Sequence, residues 1–221
     1  MYWILFIGVA LGGWLVSNNL QRKFQRYSQM GFPLTGREVA EKMLHENGNR
    51  DVRVVSIDGM LTDHYDPTTK TVNLSAGVYG SNSIAAAAVA AHECGHAIQH
   101  ACAYAPLQLR SALVPAVSIA SKWVTWVILA GLLLIQVFPQ LLWIGIILYA
   151  VTTLFSIVTL PVEINASSRA LAWLKTTGLT NTQSQDAAFD ALRAAAYTYV
   201  VAAIGSIATL IYYIMIADSR R

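Results

Sequence analysis

The chain has 221 residues, of which 12% are charged and 55% apolar, and its mean hydropathy is +0.47. Soluble domains carry about 25% charged residues, so a compact chain of this composition cannot cover its surface with charge and needs lipid as a second solvent. These proportions exclude disorder, a collagen-like or disulfide-stapled scaffold and a plain soluble α/β enzyme, and a net charge of +3 is too small to argue for nucleic acid.

The first apolar stretch, residues 2–16, is followed by the basic residues Arg22, Lys23 and Arg26 and preceded by none. Basic flanks stay cytoplasmic, so this stretch is expected to be a signal anchor with its N-terminus outside rather than a cleaved signal peptide. Thr35 and Glu38 stand three apart, which predicts a capping box and an amphipathic helix burying Val39, Met43 and Leu44 before Asn47-Gly48 ends it. Alternation over 52–57 predicts a strand, and 61–65 and 71–74, joined by 66–70 with Pro67, predict a β-hairpin. A helix capped by Ser83 or Asn82 is expected over about 84–103. Three further spans follow at 115–138, 141–161 and 194–217, each near the ~20 apolar residues that cross a bilayer.

Four spans with this start place 18–114 and 162–193 inside. The loop near Pro139 and the C-terminal tail, with Arg220 and Arg221, are then outside. Arg22, Lys23, Arg26, Arg110, Arg169, Lys175 and Arg193 fall on the inner flanks, and Lys122 can snorkel to the same side. The expected architecture is a mainly α membrane protein with about four transmembrane helices. A small α+β domain sits at its inner face. The divisions are an anchor at 1–17, a catalytic domain at 18–114, a transmembrane hairpin at 115–161, a cytoplasmic helical segment at 162–193 and a last helix with its tail at 194–221.

The predicted helix over 84–103 carries His92-Glu93-Cys94-Gly95-His96. Residues at i and i+4 share a helix face, so the two imidazoles can serve one ion, and Glu93 beside them can reach an activated water. This is the H-E-x-x-H arrangement of zinc metallopeptidases, with the glutamate as general base. A catalytic zinc needs a third protein ligand and one open position. His100 continues the histidine stripe, but steps of ~6 Å along one straight helix keep three histidines from converging, which suits a rim residue better. The glycine and third histidine of H-E-x-x-H-x-x-G-x-x-H are replaced by Gln99 and Cys102, which excludes that class. Glu163 is the one acid between Glu93 and Asp186. It stands at the end of the third span and, by parity, on the side of His96. It is either the third ligand of a His, His, Glu set or an interfacial cap paired with Arg169 or Lys175.

The run His92 to Gln99, the run Pro161-Val162-Glu163-Ile164-Asn165-Ala166-Ser167-Ser168-Arg169-Ala170-Leu171 and the segment Leu61-Thr62-Asp63-His64-Tyr65-Asp66-Pro67 together resemble the bacterial YugP-type neutral zinc metallopeptidases, which are integral membrane proteins. The resemblance runs over nearly the whole chain. It implies a gluzincin-like membrane peptidase that binds one catalytic Zn2+ through His92, His96 and Glu163, uses Glu93 as base and acts on a peptide or protein. Cys94, in a small-residue slot of the motif, is a local departure that leaves the ligands untouched. By further resemblance to zincins, the strand 71–75 would bind substrate in extended form.

Oxyanion stabilisation needs another donor. His64, Tyr65, Tyr79, His100, Arg169, Tyr197 and Tyr199 are candidates, with His64 and Arg169 favoured as catalytic residues because they lie in family-like runs. His64 could instead buttress the hairpin and Arg169 orient Glu163, while Ser167, one turn past Glu163, could bond a ligand histidine. Cys94 and Cys102 lie ~12 Å apart along one helix, too far for a disulfide, which fits a reducing cytoplasmic face. The expected location is the cell membrane, multi-pass, with lipid and peptide as partners and no nucleic acid. The competing readings are a non-catalytic zinc-binding scaffold or adaptor, an intramembrane protease and a transporter.

Overall fold

The computed structural model describes residues 2–219, so Arg220 and Arg221, expected in the outer tail, lie outside the described residues. In chain order the elements are α1 (Tyr2–Ser28), α2 (Gly36–Glu46), β1 (Arg53–Ile57), β2 (His64–Asp66), β3 (Thr71–Ser75), α3 (Ala76–Tyr79), α4 (Ile84–Ala101), α5 (Ala105–Leu133), α6 (Gln140–Thr176) and α7 (Thr182–Asp218). The described residues are mainly helical, as the sequence predicts, with one small mixed sheet. Among the described residues three helices, α5, α6 and α7, are long and apolar enough to cross a membrane. α6 and α7 contain the predicted spans 141–161 and 194–217, α5 covers the span predicted at 115–138 only as far as Leu133, and the first predicted span is the N-terminal part of α1.

The capping box forms as expected: the Thr35 hydroxyl accepts from the Glu38 amide, and the Glu38 carboxylate accepts from the Thr35 amide at 2.8 Å. The apolar stripe Val39, Ala40, Met43 and Leu44 is fully buried, largely against α4. Ser83 caps α4, its hydroxyl accepting from the Ala86 amide. The alanine run Ala85 to Ala88 is 1% exposed and lies inside the domain. Small side chains let α4 pack closely among α2, α6 and α7, so the run serves packing.

The sheet corrects one expectation. The predicted hairpin forms, β2 antiparallel to β3, but β1 lies parallel to β3 on its other side, giving the order β1-β3-β2. β3 is paired along its whole length by β1 and at Thr71–Asn73 by β2, and the Ser75 amide donates to Asp63 Oδ1 at 2.8 Å, so little of its edge is left for an added strand. Its residues Thr71, Val72, Leu74 and Ser75 are buried accordingly. The strand with an unpaired edge next to the metal helix is β2.

Close backbone approaches hold the long helices. A Cβ on Gly95 of α4 would stand 2.6 Å from the Ala166 carbonyl oxygen of α6, and one on Gly131 of α5 would stand 2.6 Å from the Leu142 Cα. The lower end of α1 is fastened to α7 by Asp190, which accepts from Lys23 Nζ at 2.7 Å and Tyr27 Oη at 2.6 Å. Helix α6 continues unbroken through Pro161 to Thr176. The predicted end of the third span at residue 161 is therefore the end of its apolar run, while the helix carries Glu163 on into the domain.

Candidate metal centre

His92 and His96 face α6 one turn apart on α4, with their rings 4.8 Å apart between centroids. Glu163 is directly opposite. Its Oε2 lies 3.3 Å from His92 Nε2 and 3.5 Å from His96 Nε2, and one ligand atom from each of the three residues falls within 4.8 Å of the others. The Gly95–Ala166 contact makes this approach possible, because Gly95 precedes His96 and Ala166 lies three residues past Glu163.

The remaining atoms of each donor are already held. His92 Nδ1 lies 3.1 Å from the Ser167 hydroxyl, the partner the sequence offered. His96 Nδ1 donates to Gln99 Oε1 at 3.0 Å, and the Gln99 amide nitrogen donates to the Val162 carbonyl at 2.8 Å and to Asn165 Oδ1 at 3.1 Å. Those two acceptors fix the amide's orientation, which puts the His96 proton on Nδ1 and leaves Nε2 as the free lone pair. Arg169 Nε donates to Asn165 Oδ1 at 2.8 Å, so a chain of bonds runs from Arg169 through Asn165 and Gln99 to His96. Glu163 Oε1 faces Arg110 Nη1 of α5 at 3.5 Å.

Glu163 is 3% exposed, and its Oε2 has no hydrogen-bond partner. A buried carboxylate oxygen without a donor is costly. Two imidazole lone pairs pointing at it do not relieve it unless a cation or protons sit between them. Two neutral imidazoles and a carboxylate are the donor chemistry of a zinc site that keeps a position open. The residues therefore fit the ion. Without it, burial alone pushes the His96 pKa down, but the Glu163 carboxylate, aided by Glu93, outweighs burial and holds it above its ordinary value.

Glu93 is 8% exposed and, with His92 and His96, lines a cavity of about 690 Å³ formed by the β2 region, α4, α5, α6 and α7. Among the sequence candidates, His64, Tyr65, His100 and Tyr199 line this cavity, whereas Tyr79, Arg169 and Tyr197 do not. His64 Nδ1 lies 2.7 Å from the Thr62 carbonyl and its Nε2 lies 3.2 Å from the Asn73 amide nitrogen, so both ring nitrogens are engaged within the hairpin region. His100 stands at the rim, bonded to Tyr65 Oη at 3.0 Å. Cys94 is buried on the far side of α4, facing the Ala40 carbonyl, and burial pushes its thiol well above the usual range. Arg110 and Gln99 are the residues sequence reasoning missed. In the sequence Arg110 reads as an inner-face charge, and Gln99 as the end of a family-like run at a position where another class has glycine.

This set of donors on an H-E-x-x-H helix and a facing helix is the arrangement expected of a zinc-dependent hydrolase site. Residues 2–218 match the family described as "Putative neutral zinc metallopeptidase", and the chain belongs to that family. It is also 40% identical over 219 residues, 98% of this chain and 96% of the relative, to the protein named "Putative membrane protease YugP" of Bacillus subtilis (strain 168). No solved structure matches the chain.

Proposed function

We propose that this protein is a multi-pass membrane zinc metallopeptidase that hydrolyses peptide bonds with Glu93 as general base. The observation that carries this reading is the convergence of His92 Nε2, His96 Nε2 and the unpartnered Oε2 of Glu163 beside a cavity that Glu93 also lines. A zinc ion held by these three residues would supply a Lewis acid and a water of lowered pKa. Glu93 takes the proton of the attacking water on its carboxylate and passes it to the leaving amine. Ser167 and Gln99 hold the imidazoles with Nε2 presented, and Arg110 holds the other Glu163 oxygen so that Oε2 stays turned to the histidines.

Of the two further residues assigned a catalytic role from sequence, Arg169 acts as a positioning residue through Asn165 and Gln99. His64 shapes the cavity mouth beside β2. Tyr199, whose side chain enters the cavity from α7, is the donor best placed for a developing oxyanion. The small domain between α1 and α5 works as a zincin-like catalytic unit. α1 provides a fourth span, and the basic residues Arg22, Lys23, Arg26, Arg110, Lys175 and Arg193 support a catalytic unit on the cytoplasmic side. Glu93 favours an enzyme over a zinc-binding scaffold, since a structural zinc needs no base.

The test uses the full chain in detergent or lipid discs with casein and with an unstructured peptide. Cleavage that stops on chelation and returns with zinc supports the reading, together with a Glu93→Gln variant that holds zinc and does not cleave. Cleavage that persists in Glu93→Gln refutes it.

A further inference from the structure

The exposed surfaces of the long helices differ in chemistry. α6 exposes Ile144, Ile147, Leu154 and Ile157, and α7 exposes Ile204, Ile207, Ile211 and Ile214, which are side chains that lipid tails accept. The hydroxyls of Thr152, Ser156 and Thr159 on α6 bond back to carbonyls of their own helix. α5 is built otherwise. It buries Ala120, Ile128 and Gly131. A separate stripe, Ser118, Lys122, Thr125 and Leu129, recurs at steps of three and four and so shares one helix face. All four residues are exposed, as are Ser121 and Trp126 beside them. Among the described residues, no hydrogen bond or ion pair reaches the side chains of Ser118, Ser121, Lys122 or Thr125. The charge is also far from water. In the sequence Lys122 reads as lying near the inner end of its span. In the structure the exposed apolar surface of α5 runs from Leu109 to Leu134. At 1.5 Å per residue Lys122 stands midway, ~18 Å from Arg110 and ~18 Å from Leu134. The four-carbon stem of lysine covers only part of that distance. Charges within spans pair with one another or face a water-filled cavity, and Lys122 lines neither of the cavities beside the metal centre.

We infer that this face of α5 is a docking surface for the transmembrane helix of another membrane protein, and that this helix carries an aspartate or glutamate at the depth of Lys122. The pair neutralises two charges that lipid cannot solvate. The hydroxyls of Ser118, Ser121 and Thr125 bond across the helix contact, where small side chains let backbones approach closely. Trp126 and Leu129 pack on the partner's apolar side chains. A second copy of this chain does not fit. Its apolar stretches at 2–16, 115–138, 141–161 and 194–217 contain no acid, so it brings only a second lysine. An anionic lipid does not reach, because its phosphate lies at the ends of the apolar belt and Lys122 at the middle.

The test places the full chain, labelled with a donor dye, in neutral phosphatidylcholine vesicles with acceptor-labelled leucine–alanine peptides of about 20 residues, long enough to span. The peptides carry glutamate at the centre, glutamine at the centre, or glutamate one turn from an end. Energy transfer should show the central-glutamate peptide binding at least tenfold more tightly than either of the others. Lys122→Gln, at an exposed position outside the packed core, should abolish that preference with helical signal and melting temperature unchanged. Lys122→Glu should reverse it, favouring a peptide with a central lysine over one with a central glutamate. If wild type does not distinguish glutamate from glutamine, or if the preference survives in Lys122→Gln, the inference is overturned. It is overturned in favour of a lipid if phosphatidylglycerol added to the vesicles abolishes the preference. It is overturned in favour of a second copy if cross-linking through Trp126→Cys joins two chains in the absence of peptide.

Discussion

The contact between Gly95 and α6 is the most exacting structural requirement of the metal centre, and replacing Gly95 by alanine tests it. The added Cβ would stand 2.6 Å from the Ala166 carbonyl oxygen, 3.0 Å from its Cα and 3.1 Å from its carbonyl carbon. Ordinary contacts between heavy atoms begin near ~3.5 Å, and the obstacle is backbone that no side-chain rotation can clear. Helix α4 must back away from α6 by roughly 0.5–1 Å at this point. His92 and His96 move with it while Glu163 stays, so the separations of 3.3 and 3.5 Å between Oε2 and the two Nε2 atoms widen. Over-packing of this kind costs about 1–3 kcal/mol, whereas alanine in a helix interior returns up to ~1 kcal/mol relative to glycine. Melting temperature is therefore the weaker readout and metal affinity the sharper one. A loss of at least tenfold in zinc affinity is expected, the scale seen when the supports of a metal ligand are disturbed. Competition against a chelator of known affinity measures it, with Gly77→Ala, where an added Cβ meets nothing within 4 Å, as the control. Wild-type zinc affinity in a folded Gly95→Ala protein would refute the claim that α4 and α6 touch here to build the site.

Three further outcomes are expected. Gln99→Leu removes the acceptor of the His96 Nδ1 proton and the bonds to Val162 and Asn165, and should weaken zinc about 10–100-fold in a chelator competition; unchanged affinity would mean that His96 is oriented by other means. Arg110→Ala frees Glu163 Oε1 and should lower kcat more than it raises KM, with recovery in Arg110→Lys only partial; full activity in Arg110→Ala would remove Arg110 from the site. Far from the centre, Glu46 Oε2 accepts from the Trp173 indole at 2.7 Å, and its carboxyl is held below the usual range first by Lys42 and then by Trp173. A carboxyl depressed in the folded state adds stability above its unfolded pKa of about 4.3 and loses it as pH falls through the lower folded value. The melting difference between wild type and Glu46→Gln should thus be present at pH 6 and shrink below pH ~4; a constant difference would deny the linkage. Glu46 is exposed enough that the contribution stays within ~1 kcal/mol.

Much of the geometry of this candidate site is legible in the sequence, because its signals are local or nearly so. His92, Glu93 and His96 follow from helical spacing, the Thr35 and Ser83 caps from their own side chains, and Glu163 from its isolation in an uncharged stretch. Ser167 could be placed one turn from Glu163 by the same arithmetic. What stayed hidden depends on elements far apart in sequence. The contact of Arg110 with Glu163 requires knowing that α5 packs beside α6, and those of Gln99 require knowing which side of α4 meets Val162 and Asn165. The sheet order was hidden for a similar reason. Alternation shows that 71–75 is a strand but does not say that β1 will pair with it in parallel, which takes one side of the strand expected to bind substrate. The end of the third span was placed at Pro161 because the apolar run stops there, yet the helix tolerates the proline and goes on for fifteen residues, from Val162 to Thr176, carrying Glu163, Ser167 and Arg169.

Everything proposed for the metal centre of this protein depends on His92, His96 and Glu163 holding one zinc ion. Anomalous diffraction at the zinc edge, on crystals of the full chain grown with zinc, tests it most directly. One strong peak is expected about 2.0–2.2 Å from both Nε2 atoms and from a Glu163 carboxylate oxygen. That peak should vanish in Glu163→Ala. A peak at another group of residues, or one that survives unchanged in Glu163→Ala, would contradict it.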